Sequence, residues 1–295
     1  MTKEDFIREL ESSDEFNLLD KVVKEEITVQ DAFSHLLKLT MDQLSIYGPK
    51  DWNKFGTPDY NISCATVELA QRLEPSKHTK LVEFTYHLQK QVAIDTSTNE
   101  PLDAQGAILW TDLPSFGYTE LEEWEEFGGA HEDPSNPRMD YKERDRWTKL
   151  NAFLAQLTQA ADVYYPSSQE EPIYHPLDKS GRAIWTISMT LEKDRPPAWL
   201  RNTAAMEATC YWFIYAADHL WDIVLHNHRW SGLLSDATGK RYRLKGWRGI
   251  PMERWIIWEN ALKDTRDACE EGRMRNLLDQ ALASIATAMG NARWI

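Results

Sequence analysis

The stretch from Asn202 to Asn227, NTAAMEATCYWFIYAADHLWDIVLHN, is the most apolar run in the chain and contains neither Gly nor Pro. It predicts one helix of about six to seven turns, at 3.6 residues per turn. Asn202 or Thr203 can cap its beginning, because a side-chain oxygen there accepts a hydrogen bond from a free backbone N–H. We expect the rest of the chain to pack around this helix.

Two stripes of side chains run along this predicted helix. A helix that is apolar on nearly every side is usually buried, and an isolated buried charge is costly. The carboxylates of the second stripe must therefore be paired, hydrated or functional. The apolar stripe comprises Met206, Cys210, Phe213, Ala217, Leu220 and Val224. The second stripe comprises Glu207, Tyr211, Tyr215, Asp218 and Asp222.

The remainder of the chain also shows helical periodicity, with helix starts marked by caps. Thr28 with Asp31 matches the capping-box pattern, and Asp178 is placed to cap a later helix. No internal repeat or linker divides the sequence. We therefore predict a single all-α domain over residues 1–295, with about nine to ten packed helices. One small β-hairpin is expected near Asp236 to Arg243.

Composition excludes several classes of protein. The net charge of −14 opposes binding to nucleic-acid phosphates and anionic lipids. The chain has no run of about 18 apolar residues, and its first residues, MTKEDFIREL, lack the apolar core of a signal peptide. Cys64, Cys210 and Cys269 are too widely spaced for a zinc pattern or a disulfide framework. We expect a soluble cytoplasmic protein with buried thiols, without nucleic-acid binding or membrane insertion.

Thirteen tryptophans are unusual for this length. Most of them are expected to fill the space between helices, but several can line an apolar ligand cavity. An amide such as that of Asn151, lying between apolar positions of a predicted helix, needs hydrogen-bond partners when it is buried. The predicted substrate-binding residues are Trp110, Asn151, Trp185, Trp255 and Trp258.

The segment Asp218-His219-Leu220-Trp221-Asp222 is the sharpest local pattern. Its two aspartates lie one helical turn apart, so both can reach one ion, and their hard oxygen ligands suit Mg²⁺. The segment resembles the aspartate-rich motif of class I terpene cyclases, which holds Mg²⁺ against a diphosphate, with His219 in place of the second aspartate. The second metal motif of that family is absent. The alternative is that these residues pair with Arg or Lys of neighbouring helices.

Without a metal, the same helix can supply acid–base groups to an aromatic cavity. A carboxyl group in such a place tends to have a raised pKa, and the two tyrosines can donate hydrogen bonds to a substrate carbonyl. The triplet His131-Glu132-Asp133 is interpreted as exposed loop rather than as a metal site. The predicted catalytic residues are Asp218, His219, Asp222, Tyr211 and Tyr215.

Three segments together resemble a family of uncharacterised fungal helical proteins, known as a domain of unknown function. They are WTDLPSFGY, RDRWTKLNAFLAQLT with IWTISMTLE, and ATCYWFIYAADHLW with MERWIIWENAL. The resemblance covers roughly Trp110 to Met289, and it implies a filamentous fungus as the source. Helical proteins of that kind are sometimes enzymes of secondary metabolism, which is an analogy at the level of the fold. No catalytic residue is carried over from the family.

These observations lead to a functional hypothesis. We expect a small-molecule cyclase or isomerase of fungal secondary metabolism, such as a cofactor-free pericyclase of the Diels–Alderase type, that folds an apolar substrate inside an aromatic cavity. One alternative is a Mg²⁺-dependent class I terpene cyclase that uses Asp218 and Asp222. A second is a non-catalytic interaction or regulatory protein. The sequence does not predict the oligomeric state.

Overall fold

The computed structural model describes residues 2–95, 97–128, 140–163, 175–230 and 240–291. The chain divides into two compact units, Met1–Trp124 and Glu125–Ile295. That residues 1–295 form a single domain stays a prediction.

The N-terminal unit is built from short and medium helices with capped ends. In the box at the start of α3, the Asp31 N–H donates to Thr28 Oγ1 at 3.1 Å and the Thr28 N–H donates to Asp31 Oδ2 at 3.3 Å, which confirms the predicted cap. Gly48 ends α3 with φ +75°, a left-handed conformation that favours glycine. The first seven helices are α1 (Lys3–Glu11), α2 (Asp14–Val23), α3 (Val29–Tyr47), α4 (Trp52–Phe55), α5 (Thr57–Arg72), α6 (Thr79–Gln89) and α7 (Pro114–Gly128).

Two small antiparallel hairpins separate α6 from α7. Strand β1 (Ile94–Asp95) pairs with β2 (Glu100–Pro101), with Ile94 opposite Pro101. Strand β3 (Asp103–Ala104) pairs with β4 (Ala107–Ile108), with Asp103 opposite Ile108. The chain after them packs into the core. Leu109, Trp110 and Leu113, before α7, and Phe116, in its first turn, are buried.

The C-terminal unit surrounds the helix that the sequence places at the centre. Helix α11 packs against α8, α9 and α13, and all six residues of its predicted apolar stripe are buried. It begins after Thr203, whose hydroxyl accepts from the Met206 N–H at 3.2 Å. The helices of this unit are α8 (Tyr141–Ala160), α9 (Ser180–Leu191), α10 (Pro197–Leu200), α11 (Ala204–Leu225), α12 (Met252–Asp267) and α13 (Arg273–Asn291).

The structure confirms the all-α class and corrects two details. The described residues form thirteen helices, of which α4 and α10 are single turns that periodicity does not reveal. The expected hairpin near Asp236 to Arg243 is wrong in its described part, because Lys240–Lys245 forms a 3₁₀-helix. Hairpins occur instead within residues 94–108. The triplet His131-Glu132-Asp133 lies outside the described residues.

Two further expectations concern cysteines and membranes. All three cysteines are free and buried, as expected. Among the helices of the described ranges, none is both long enough and apolar enough to cross a membrane.

Helix α11 is kinked at Ala216, where φ is −132° and ψ is 20°. Sharp bends of a helix arise at Pro, at Gly or Ser pairs, or where another group enters the backbone hydrogen-bond ladder. Here the side chain of Gln159, from α8, accepts a hydrogen bond from the His219 N–H at 3.3 Å. In a regular helix that N–H would bond to the carbonyl of Tyr215. The kink therefore separates the two predicted tyrosines from the predicted Asp218, His219 and Asp222.

Candidate active site

The first half of α11 carries a tyrosine pair held by an arginine. The rings of Tyr211 and Tyr215 stack with centroids 6.1 Å apart. Arg273, from α13, donates to the Tyr211 hydroxyl at 3.2 Å and also pairs with Glu207. Burial, with the charge of Glu207, raises the pKa of Tyr211 to about 12. Tyr211 is therefore a neutral phenol at physiological pH, and its position is fixed by an ion pair that the sequence did not predict.

The predicted aromatic wall is only partly assembled. Trp255 and Trp258 are buried and meet the edge of Phe213, at centroid distances of 5.5 and 6.4 Å. The side chain of Trp185, in contrast, is 41% exposed. Trp110 is fully buried, but it belongs to the N-terminal unit. The structure thus brings two of the four predicted tryptophans together.

Asn151 lies at the meeting point of three helices. Its Oδ1 accepts from the Trp212 indole N–H at 2.9 Å and from the Thr186 hydroxyl at 3.2 Å. Its Nδ2 donates to the Trp147 carbonyl at 2.9 Å. The amide that was predicted to bind substrate is therefore used to join α8, α9 and α11. Both ends of the amide are therefore engaged, and its predicted role in substrate binding stays a prediction.

A buried ion pair that the sequence reading missed lies between α9 and α12. Arg254 and Glu192 are 1% and 0% exposed, and Arg254 Nε donates to Glu192 Oε1 at 2.6 Å. The guanidinium also donates to Ser188 Oγ at 2.7 Å and to the Gly249 carbonyl at 2.8 Å. The indole N–H of Trp258 donates to the same Glu192 oxygen at 2.8 Å. The four-residue spacings of Ser188 to Glu192 and of Arg254 to Trp258 are the local signal for this network.

The second half of α11 brings an imidazole to a carboxylate. His219 Nε2 lies 3.4 Å from Asp178 Oδ1, and both side chains are largely buried. Burial acts to raise the pKa of Asp178, but the hydrogen bond and charge of His219 prevail and hold that pKa below its ordinary value. The same Oδ1 accepts from the Ser180 N–H at 2.8 Å, but the N-cap of α9 is Lys179, one residue later than predicted. Asp178 therefore has a structural contact and an acid–base contact at once.

A second imidazole, that of His228, follows the end of α11 and is influenced electrostatically by this pair. It is half-buried and meets the Trp230 ring edge-on, with centroids 4.8 Å apart. Burial is the main cause that lowers the pKa of His228; the carboxylate of Asp178 acts to raise it, and the imidazole of His219 lowers it further. Two imidazoles thus share the electrostatic field of one carboxylate.

The predicted metal ligands do not join this cluster. Asp218 and Asp222 are exposed, and within the described ranges no group of three or more His, Cys, Asp or Glu is arranged to hold a metal ion. Of the five predicted catalytic residues, only His219 lies beside another acid–base group from a different element within the described part of the chain. Its partner was interpreted from sequence as a helix cap, because that local role was the only one visible there.

The fold and this cluster define a class: an all-α protein in which a buried imidazole of the central helix pairs with a carboxylate from the segment before α9. The chain belongs to the family described as a protein of unknown function, DUF3632, which matches residues 65–262. The match includes Asp178, His219, His228 and Arg254. It begins before Trp110 and ends before Met289, so both predicted limits of the resemblance are shifted. No curated protein and no solved structure matches the chain.

Proposed function

We propose that this protein is a small-molecule isomerase or cyclase that works by proton transfer, with His219 as the acid–base residue and Asp178 as its partner. The observation that carries the proposal is the 3.4 Å approach of His219 Nε2 to Asp178 Oδ1 in a largely buried position. The sequence hypothesis named His219, but paired it with Asp218 and Asp222. The proposal replaces those two exposed carboxylates with Asp178.

The chemistry follows from how a carboxylate acts on an imidazole. A carboxylate that accepts from one ring nitrogen fixes the tautomer and leaves the other nitrogen to accept or donate a proton. A positioned acid–base group of this kind typically contributes about 100-fold to 10,000-fold in rate. Isomerisation and cyclisation need only such proton transfers, together with a shaped apolar environment that holds the substrate in a reactive conformation.

The biological setting extends the same proposal. The substrate is an apolar small molecule, and the protein acts in the cytoplasm, in fungal secondary metabolism, without nucleic acid or an inserted membrane partner. A pericyclase remains within the proposal, because proton transfer to a carbonyl oxygen also accelerates a ring closure. Support for this setting comes from the acidic composition and from the resemblance in sequence, and no residue of the cluster specifies it.

The test is metabolite profiling by mass spectrometry in the source organism. A strain that lacks the gene is complemented with the wild type, with His219→Gln or with Asp222→Ala. We expect the deletion to lose one product and to accumulate an isomer of identical mass, and His219→Gln to lower that product about 100-fold. The folded state of each variant is checked by thermal melting.

Other outcomes point to the two alternative functions. Accumulation of a prenyl diphosphate, with loss of product in Asp222→Ala but not in His219→Gln, would support the Mg²⁺-dependent terpene cyclase. An unchanged metabolite profile, under conditions in which the gene is expressed, would exclude the enzyme and favour the interaction protein. Full rescue of the deletion by a folded His219→Gln would overturn the assignment of the acid–base residue.

A further inference from the structure

Residues 240–248, KRYRLKGWR, form a basic segment in an acidic chain. They contain five Lys or Arg and no Asp or Glu, whereas the whole chain has a net charge of −14. Lys240–Lys245 forms a 3₁₀-helix, in which side chains three residues apart lie on the same side. The helical part of the basic segment therefore has distinct sides.

One side of this 3₁₀-helix is held against the rest of the C-terminal unit. Tyr242 stacks on the buried Trp247, with ring centroids 5.5 Å apart and the planes inclined by 27°. The guanidinium of Arg254 lies over the Trp247 ring, 5.4 Å from its centroid. Lys245, three residues after Tyr242, pairs with Glu253 of α12 at 2.7 Å. These contacts fix the basic segment through the side that carries Tyr242 and Lys245.

The other sides of the basic segment present arginines and one leucine to solvent. Leu244 has a relative exposure of 103%, so its neighbours do not cover it. Arg241, three residues earlier, lies on the same side of the 3₁₀-helix as Leu244. Arg241, Arg243 and Arg248 are all exposed, and within the described ranges no carboxylate pairs with them. Three cations without a carboxylate partner thus accompany a fully exposed apolar side chain.

Helix α12 adds two exposed apolar side chains beside this segment. Met252 and Ile256 lie one turn apart, and each is 44% exposed. Glu253 is three residues before Ile256 and is therefore its neighbour on the helix surface. The ion pair of Glu253 with Lys245 brings the basic segment next to this apolar face of α12.

We propose that the basic segment, together with Met252 and Ile256, docks the protein onto an anionic membrane surface. Arginine guanidinium groups bind the phosphate and carboxylate groups of lipid headgroups. The exposed apolar side chains enter the boundary between headgroups and acyl chains. The contact is peripheral, because only side chains that already face solvent meet the lipid. Docking needs none of the acid–base residues, so it stands or fails independently of the proposed function.

The negative net charge of the chain does not prevent this contact. Exposed charges are screened beyond about 8 Å at physiological ionic strength, so nearby headgroups interact mainly with the cations of the basic segment. Nucleic-acid phosphates would attract the same cations, but they would leave Leu244 without apolar surroundings. A protein partner would need a pocket shaped for Leu244, whereas a bilayer accepts an exposed apolar side chain anywhere on its surface. The combination of free arginines with an uncovered leucine therefore favours the membrane.

The test is co-sedimentation of the full chain with lipid vesicles. We expect the wild type to bind vesicles of phosphatidylcholine with phosphatidylserine, to be released by added salt, and to leave vesicles of phosphatidylcholine alone unbound. Each basic residue near an anionic bilayer contributes about fivefold in affinity, so Arg241→Gln/Arg243→Gln/Arg248→Gln should lower binding about 100-fold. Leu244→Ser keeps every charge and should lower binding about tenfold, because the apolar contact is lost.

Matched control variants carry the same kinds of change outside the basic segment. Lys21→Gln/Lys38→Gln/Lys50→Gln removes three exposed cations of the N-terminal unit. Ile46→Ser removes an apolar side chain that is 68% exposed. Both should bind the vesicles as the wild type does. Since every substituted side chain is exposed, thermal melting should show that each variant is folded.

The outcomes that would overturn this docking are distinct from those that test the proposed function. Equal binding of the wild type with and without phosphatidylserine would remove the role of the arginines. Undiminished binding of the triple arginine variant or of Leu244→Ser would assign the contact to another surface. A wild type that binds duplex DNA or polyglutamate but no vesicle would show that a nucleic acid or an acidic protein covers the segment instead. A wild type that binds none of these probes would equally refute the docking.

Discussion

The C-terminal unit contains two buried contacts between a basic side chain and a carboxylate, and they differ in what they can do. Arg254 meets Glu192 at 2.6 Å; the guanidinium also donates to Ser188 and Gly249, and Trp258 donates to Glu192. His219 meets Asp178 at 3.4 Å. A guanidinium does not lose its proton in proteins, whereas an imidazole exchanges one near neutral pH. The first contact therefore fixes structure, and the second is suited to move a proton.

The largest expected effect comes from breaking the structural pair. Arg254→Leu leaves the Glu192 carboxylate buried without its cation, and it removes the donor that holds the Gly249 carbonyl. Loss of one partner of a buried ion pair typically costs about 3–5 kcal/mol. We expect the free energy of unfolding, measured by urea denaturation at pH 7.5, to fall by about that amount.

Two controls test whether burial of the ion pair is the reason for the large loss of stability expected in Arg254→Leu. Arg266, on the same helix, meets Asp279 at 2.8 Å, but both side chains are substantially exposed. Arg266→Ala should cost less than about 1 kcal/mol, as exposed pairs do. The double variant Glu192→Leu/Arg254→Leu should recover part of the loss, because no uncompensated charge remains. Equal losses in Arg254→Leu and Arg266→Ala would contradict this account.

Asp59, in the N-terminal unit, is a buried carboxylate for which the described ranges show no paired cation. Its pKa shows the effect of burial without such a partner. Burial raises its pKa to about 6 despite hydrogen bonds from Ser115, and its Oδ2 has no hydrogen-bond partner within the described ranges. A raised pKa means that the folded state favours the protonated form. This contribution to stability is complete below about pH 4 and is lost as the pH rises through about 6.

The corresponding variant is Asp59→Asn, which keeps an acceptor oxygen for Ser115 but carries no charge. We expect it to be more stable than the wild type at pH 7.5 by up to about 3 kcal/mol, which corresponds to the shift in pKa. At pH 4.5 the advantage should shrink, because the wild-type side chain is then mostly protonated. The measurement is urea denaturation of both proteins at the two pH values. An advantage independent of pH would exclude the electrostatic explanation.

The sequence predicts the elements well because their determinants are local. The apolar stripe of α11, the capping box of Thr28 with Asp31 and the start of α9 close to Asp178 all depend on residues within a few positions. The kink of α11 does not depend on local residues alone. Gln159, which accepts the hydrogen bond from the His219 N–H, comes from another helix. A sequence without Gly or Pro gives no signal for such a bend.

The candidate site was predictable only in part, for the same physical reason. His219 lies in a conspicuous acidic pattern, so it was found together with the wrong carboxylates. Asp178 is 41 positions away in the sequence, and only the packing of α11 against α9 brings the two together. Arg254 and Glu192 are separated by 62 positions. Ion pairs between distant elements carry no local pattern beyond the one-turn spacing within each helix.

A smaller effect tests the lowered pKa of His228. Its lowered pKa means that the folded state binds fewer protons than the unfolded chain as the pH falls below about 6.5. The contribution of His228 to stability is therefore present above that pH and lost as the pH falls through its folded pKa. We expect His228→Gln to lose less stability than the wild type between pH 7.5 and pH 5.5 in urea denaturation. His226→Gln should keep the wild-type slope, and a His228→Gln slope equal to that of the wild type would refute the shift.

The smallest expected effect is at the pattern that looked most functional in the sequence. Asp222 is exposed, so Asp222→Ala should change the free energy of unfolding by less than about 0.5 kcal/mol. A ligand that binds only the folded state raises the melting temperature, and the rise grows with the logarithm of its concentration above the dissociation constant. Because the described residues provide no third metal ligand near Asp218 and Asp222, Mg²⁺ with pyrophosphate should leave the melting temperature of the wild type unchanged. A rise that disappears in Asp222→Ala would show that the acidic pattern binds metal. The chemistry would then belong to the exposed carboxylates, and the buried imidazoles would need another explanation.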